Sequence, residues 1–268
     1  MFSFGWWSTG RDRDAINLFE TVRDAVERGT VPGKIAYCFL SREKGESKTS
    51  DELADCCEAS GVQVFSLSAK GFRPELRNKD RGKWRNEYHH KVLGLLRGME
   101  TDIVVLAGYM WVVSPEVCEK LNVINLHPAA PSGPAGTWQE VIWTLLENDA
   151  DETGVMMHLV TPELDKGPPV TFCSFEIKGM EWNSLWKQFE NDVKKYGYDG
   201  IREKFGENYP LFARIREEGV KRELPLIVQT LRSMAAGDVR IRGRQLVNAA
   251  GTVLPGPFDL TREINSVI

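Results

Sequence analysis

Along the first 177 residues, short apolar runs alternate with segments whose apolar residues recur at helical spacing, and this alternation restricts the fold more than any other feature. Residues 2–7 (FSFGWW) read as a strand, and Ala15, Ile16, Leu18, Phe19, Val22, Ala25 and Val26 form a helical stripe after the polar turn STGRDRD. Pro32-Gly33 breaks the chain before a second strand at 35–40. A helix capped by Ser50 or Asp51 carries Leu53, Ala54, Cys57 and Ala59 and ends at Gly61. Strands are expected at 62–67, 102–107, 123–126, 155–160 and 170–177, and helices at 88–96, 115–121 and 138–146. The Lys-, Arg- and Gly-rich stretch 69–85 reads as an exposed loop entering a helix. Strands alternating with helices imply an α/β fold with a doubly wound, mostly parallel sheet. Ligands then bind beyond the carboxyl ends of the strands, near the point where strand order reverses.

From residue 178 the composition turns charged and aromatic. Trp182, Leu185, Trp186, Phe189 and Val193 repeat at helical spacing, as do Leu211, Phe212 and Ile215, so two or three amphipathic helices are expected up to residue 223. A further helix is expected at 224–235, short strands near 239–241 and 245–247, and a turn-rich end. The organisation predicted is a main unit over 1–177, with 178–268 a helical insertion and C-terminal extension packed on it.

A net charge of −4 gives no general attraction to nucleic acid or anionic membranes. No run of about 18 apolar residues exists to span a bilayer, and the first residues lack a secretory pattern. The five cysteines are odd in number and lie mostly in apolar runs without zinc-ligand spacing, so buried thiols in the reducing cytoplasm are expected, and no metal. No G-x-G-x-x-G follows the first strand, which sets aside a dinucleotide site.

Only four histidines occur. His89 and His90 lie in a charged helical segment and read as solvated surface residues, and His158 reads as a satisfied core histidine. His127 differs, because it ends a buried strand before the irregular loop PAAPSGPAG. Asn125, two residues earlier, projects from the same strand face. Such a buried polar pair needs partners, and a structural network or a reaction site could supply them. Asp165, in the tight loop TPELDKGPP, adds a carboxylate between two strands.

Taken together, Ile124-Asn-Leu-His-Pro128, Glu163-Leu-Asp165-Lys-Gly-Pro168 and Leu106-Ala-Gly-Tyr-Met110 resemble the folate-dependent formyltransferase family, in particular its purine-biosynthesis branch. The likeness is densest over 102–170, weaker before it, and returns at 224–255. It implies a Rossmann-like fold and transfer of a formyl group from 10-formyltetrahydrofolate to the amine of a small, phosphorylated acceptor such as glycinamide ribonucleotide. Asn125, His127 and Asp165 fall on the family's catalytic positions. Asn125 would donate to a developing oxyanion, His127 would assist as an imidazolium beside Asp165, and Asp165 would relay the proton. The same resemblance sets the pterin against Met110, Trp111, Val112 and Val113 and against Val160, Thr161 and Glu163. A homodimer would suit the aromatic stripe of the later helices. Alternatives on the same scaffold are a hydrolase passing the formyl group to water and a non-catalytic folate-binding protein. The related hydrolases carry an extra N-terminal domain, whereas this chain opens on its first strand.

The first turn departs from the family pattern. Where the family has a Gly-Ser-Asn type loop that holds the substrate phosphate, this chain has Ser8-Thr9-Gly10-Arg11-Asp12-Arg13-Asp14. Ser8, Thr9, Gly10, Arg11 and Arg13 are the candidate acceptor ligands, while the two aspartates would repel an anion. Trp111 also stands where an arginine is common.

Overall fold

The computed structural model describes residues 1–163 and 165–268. In chain order the elements are β1 (Phe2–Ser8), α1 (Arg13–Glu27), β2 (Gly33–Leu40), α2 (Lys48–Ala59), β3 (Val64–Ser66), α3 (Pro74–Lys79), α4 (Arg81–Leu95), β4 (Ile103–Leu106), α5 (Pro115–Lys120) and β5 (Val123–His127). They continue with α6 (Trp138–Glu147), β6 (Glu152–Leu159), β7 (Pro169–Glu176), α7 (Asn183–Phe205), α8 (Pro210–Ala236), β8 (Arg240–Arg242), β9 (Gln245–Val247), β10 (Phe258–Asp259) and α9 (Thr261–Asn265).

Eight strands form one sheet in the order β10-β7-β6-β5-β4-β1-β2-β3, and β8 and β9 form a separate hairpin. Within the sheet β6 alone runs against its neighbours. The chain moves outward from β1 through β2 to β3, then returns to set β4 against the other side of β1. The reversal of order therefore falls between β1 and β4, and the loops leaving these two strands flank it.

β1 shows why the sheet needs two covered faces. Phe4 and Trp6 pack with Ile16, Phe19 and Val22 of α1, in a core that α8 completes through Leu226, Ile227, Leu231 and Met234. Trp7 points the other way, into a core with Trp84, Tyr88 and Val92 of α4 and with Val117 of α5. Both faces being buried, successive residues Trp6 and Trp7 are both apolar, rather than one apolar and one polar. A third core joins Trp143 of α6 to Trp186 and Phe189 of α7 and to Phe212 of α8. Each methylene buried in these cores contributes about 0.8 kcal/mol.

Four expectations are corrected. The stretch 69–85 contains a helix, α3, and α4 begins at Arg81, where the Asp80 carboxylate accepts from the Lys83 N–H. His89 is fully buried: its Nδ1 donates to the Arg85 carbonyl at 3.0 Å, and its Nε2 meets the Tyr109 hydroxyl at 3.0 Å. His90 is exposed, as read, beside Glu116. No new helix begins at Leu224. Instead α8 runs continuously through Pro225. A proline there removes one backbone hydrogen bond, at a cost of about 3 kcal/mol, and burial of Leu226, Ile227, Leu231 and Met234 immediately after it offsets that loss. The turn-rich end also holds β10, which pairs with β7 through Phe258↔Thr171 and Asp259↔Phe172.

Candidate active site

β5 and β6 pair antiparallel, with Asn125 opposite His158 and His127 opposite Met156. Residues directly opposed across a ladder project on the same face. The register therefore gathers Asn125, His127 and His158, and the loop after β6 brings in Asp165. The Asn125 side-chain amide donates to Nε2 of His158 at 3.4 Å. Nδ1 of His158 donates to the Leu159 carbonyl at 3.3 Å. Since a carbonyl can only accept, these partners fix the proton on Nδ1 and leave the lone pair on Nε2. Asp165 Oδ1 lies 3.7 Å from that Nε2.

The resemblance sets Asp165 beside His127, and the structure sets Asp165 against a second histidine of the same group. Its carboxylate faces His158, and Nε2 of His127 donates to the Pro134 carbonyl at 3.0 Å. The two imidazoles meet edge to face with ring centroids 6.0 Å apart. Burial pushes the pKa of His158 below its usual 6.5 and the nearby His127 pushes it the same way, while the Asp165 charge works against both. His158, which reads from the sequence as a satisfied core histidine, is buried and hydrogen-bonded, and it also stands against Asn125 and Asp165. Its place there depends on pairing across 33 residues of chain.

Asp165 is held in the left-handed region, φ 53°, a conformation an aspartate tolerates better than most residues. Gly167 then passes so close to β6 that a Cβ there would lie 1.5 Å from the Leu159 carbonyl oxygen. The Leu159 N–H donates to the Pro168 carbonyl at 2.9 Å, and Thr161 Oγ1 donates to the Glu163 carbonyl at 2.9 Å. These bonds pin the loop that carries the carboxylate.

At the same end of the sheet the turns after β1 and β4 are tied together. The Thr9 N–H donates to the Gly108 carbonyl at 3.2 Å, and the Met110 N–H donates to Thr9 Oγ1 at 2.9 Å. Leu106, the last residue of β4, stands level with Asn125, so these turns border the Asn125–His158–Asp165 group.

The predicted folate wall divides. Met110 and Val112 are exposed, whereas Val113 is buried against the Trp7 core and Val160 packs partly on it. Trp111 leans on Trp84, and its indole N–H has no partner among the described residues. Thr161 is half-buried and Glu163 exposed. Of the predicted acceptor ligands, Ser8 and Thr9 are buried, Gly10 closes the turn, and Arg11 and Arg13 reach solvent. Among the described residues no group of three or more metal-ligating side chains occurs. No helix described is long and apolar enough to cross a membrane.

A sequence model of the family described as formyl transferase matches residues 19–199. Among curated relatives, phosphoribosylglycinamide formyltransferase of Escherichia coli (strain K12) is 33% identical over 156 residues, which cover 56% of this chain and 64% of that protein. The protein of the same name from Schizosaccharomyces pombe is 25% identical over 158 residues, covering 56% of this chain and 73% of the relative. Of solved structures, phosphoribosylglycinamide formyltransferase from Coxiella burnetii superposes with a TM-score of 0.63 at 15% identity, covering 96% of this chain and 98% of that one. A formyltetrahydrofolate deformylase from Pseudomonas syringae pv. tomato gives 0.56 at 18% identity, covering 92% and 65%. At these identities the structural likenesses establish the shared Rossmann-like fold. With the family's domain matched over 19–199, which includes Asn125, His127, His158 and Asp165, the chain belongs to the formyl transferase family of enzymes.

Proposed function

We propose that this protein transfers the formyl group of 10-formyltetrahydrofolate to the amine of a small acceptor, with Asn125, His127 and Asp165 as the reacting shell and His158 as a positioning residue. The observation that carries this reading is the polar group around His158 at the carboxyl end of β5, in a chain of this family.

The chemistry asks for three things: an uncharged attacking amine, stabilisation of the charge that develops on the formyl oxygen, and a proton for the departing nitrogen. Asn125 has two amide hydrogens, of which one is given to His158 and the other remains for the oxygen. Because His158 accepts the first, the amide plane is fixed before substrate arrives, which is what preorganised stabilisation requires. His127, oriented through Nε2 by the Pro134 carbonyl, presents Nδ1 on its other side and, when protonated, adds positive charge near the oxygen. Asp165 accepts the proton shed by the amine as the new C–N bond forms, and returns it, directly or through water, to the folate nitrogen as that C–N bond breaks. Met110, Trp111, Val112, Val113, Val160, Thr161 and Glu163 are the proposed folate wall. The curated relatives are named for phosphoribosylglycinamide, and the turn after β1 is where an acceptor would reach the same edge of the site.

The test is release of tetrahydrofolate from 10-formyltetrahydrofolate by purified protein, with and without candidate amines, beside Asn125→Ala and Asp165→Asn. Amine-dependent release lost in both variants supports transfer. Release without any amine supports hydrolysis, and absence of folate binding sinks the reading.

A further inference from the structure

The turn between β1 and α1 combines a strand's carboxyl end with a helix N-terminus, the arrangement that ordinarily collects a phosphate. In this chain part of its binding capacity is taken up from within. The Gly10 N–H is taken by Ser8 Oγ at 3.1 Å, and the Thr9 N–H by Gly108. Thr9 Oγ1 accepts from Met110 and from Ser41 Oγ, each at 2.9 Å. A Cβ on Gly10 would stand 2.7 Å from the Cα of Ser50, so α2 closes that side of the turn.

The helix end itself already holds an anion. Asp12 is the N-cap of α1, and its carboxylate accepts from the Ala15 N–H at 3.4 Å. The cations nearby are also engaged: Arg11 donates to Asp12 at 2.8 Å, and Arg13 lies 3.9 Å from Glu20 and 4.0 Å from Glu52. Arg42 donates to the Gly10 carbonyl and to Ser47 Oγ. A dianionic phosphate brought to the first N–H groups of α1 would meet the Asp12 carboxylate beside them.

We propose that Asp12 occupies the anion position of this turn, and that the acceptor in the formyl-transfer reaction is therefore an unphosphorylated amine. Asp12 is then the specificity-determining residue, rejecting phosphate by charge while presenting an acceptor oxygen to a hydroxyl or ammonium group. This inference rests on the transfer reading above and names the substrate class for that site.

The test compares wild type with Asp12→Asn and Asp12→Ser. Both replacements keep a side-chain cap on α1 and remove the charge. Titration with inorganic phosphate and with glycinamide ribonucleotide is followed by calorimetry, and the unphosphorylated glycinamide is run alongside. The expected result is no binding of phosphate to wild type below the millimolar range, no advantage of the ribonucleotide over glycinamide, and phosphate affinity raised about tenfold or more in both variants. Submillimolar binding of phosphate or of the ribonucleotide by wild type would overturn the proposal, as would unchanged phosphate affinity in both variants. Titration of the same preparations with 10-formyltetrahydrofolate keeps the two readings separate: lack of folate binding defeats formyl transfer, whereas the phosphate result decides the role of Asp12.

Discussion

Asp165 Oδ1 lies 3.7 Å from Nε2 of His158, while that same nitrogen accepts the Asn125 amide at 3.4 Å. At 3.7 Å the carboxylate is beyond hydrogen-bonding range, so it acts on the imidazole through charge alone. Asp165→Asn removes the larger of the two contributions that raise the His158 pKa, the other being the bond to the Leu159 carbonyl, and the imidazole should then titrate lower still. NMR titration of the His158 ring protons checks this shift. The same substitution should slow formyl transfer by about 10²-fold or more while folate binding changes little, if the carboxylate relays the proton. Single-turnover kinetics beside equilibrium folate titration separate the two effects.

His89 predicts how stability depends on pH. Burial lowers its pKa from 6.5 to about 4, so the native state keeps it neutral where the unfolded chain binds a proton. The unfolded state therefore holds more protons between those values, and stability falls as pH drops from 6.5 toward 4. The loss from this residue should reach roughly 3 kcal/mol at the acid end. In His89→Gln that contribution disappears. The variant should be less stable than wild type at pH 7, with the gap narrowing as pH falls, as read from urea midpoints.

Gly167→Ala should strike the site harder than the fold. A Cβ placed 1.5 Å from the Leu159 carbonyl cannot be accommodated unless the loop moves, and the loop carries Asp165. A displacement of about 1 Å costs on the order of 10²-fold in rate. Turnover should fall to that extent while the thermal transition stays cooperative. A variant with wild-type turnover would show that the position of Asp165 is not critical.

Glu218 and Arg222 of α8 make an asymmetric pair. Glu218 accepts from Arg222 at 2.8 Å and also lies within 3.0 Å of Arg214 and 2.9 Å of Lys221. Arg222 is buried over the Phe175 ring, and its Nε lacks a partner among the described residues. Glu218→Ala leaves that guanidinium buried without its carboxylate and should cost about 3 kcal/mol. Arg222→Met keeps apolar contact with Phe175, leaves Glu218 its other two cations, and should cost less. Guanidinium chloride unfolding of the two variants gives the order.

The pairing of Asn125 with His127 was legible because a strand repeats every two residues, and the mostly parallel sheet was legible from the alternation of apolar runs. His158 was not, since its place in the site is set by the register of β6 on β5, and an isolated histidine in an apolar run carries no sign of its cross-strand partner. His89 was hidden for another reason. Arg85, Glu87 and His90 surround it in sequence and suggest a wet helix face, yet one turn-spaced residue among them reaches Trp7 and Tyr109. Pro225 misled because a proline's local cost is visible in sequence while the burial that offsets it is not.

The two residues of β10 have a consequence out of proportion to their length. Beyond the pairs they make with Thr171 and Phe172, the Leu260 N–H reaches the Phe172 carbonyl and Thr261 Oγ1 satisfies the Ser174 N–H. This short segment is the seal on the rim of the sheet. A chain cut before Phe258 would bare the outer backbone of β7, and a bared strand is a template on which a second copy can build. The segment that touches none of the reacting groups would then be what keeps neighbouring molecules from zipping together.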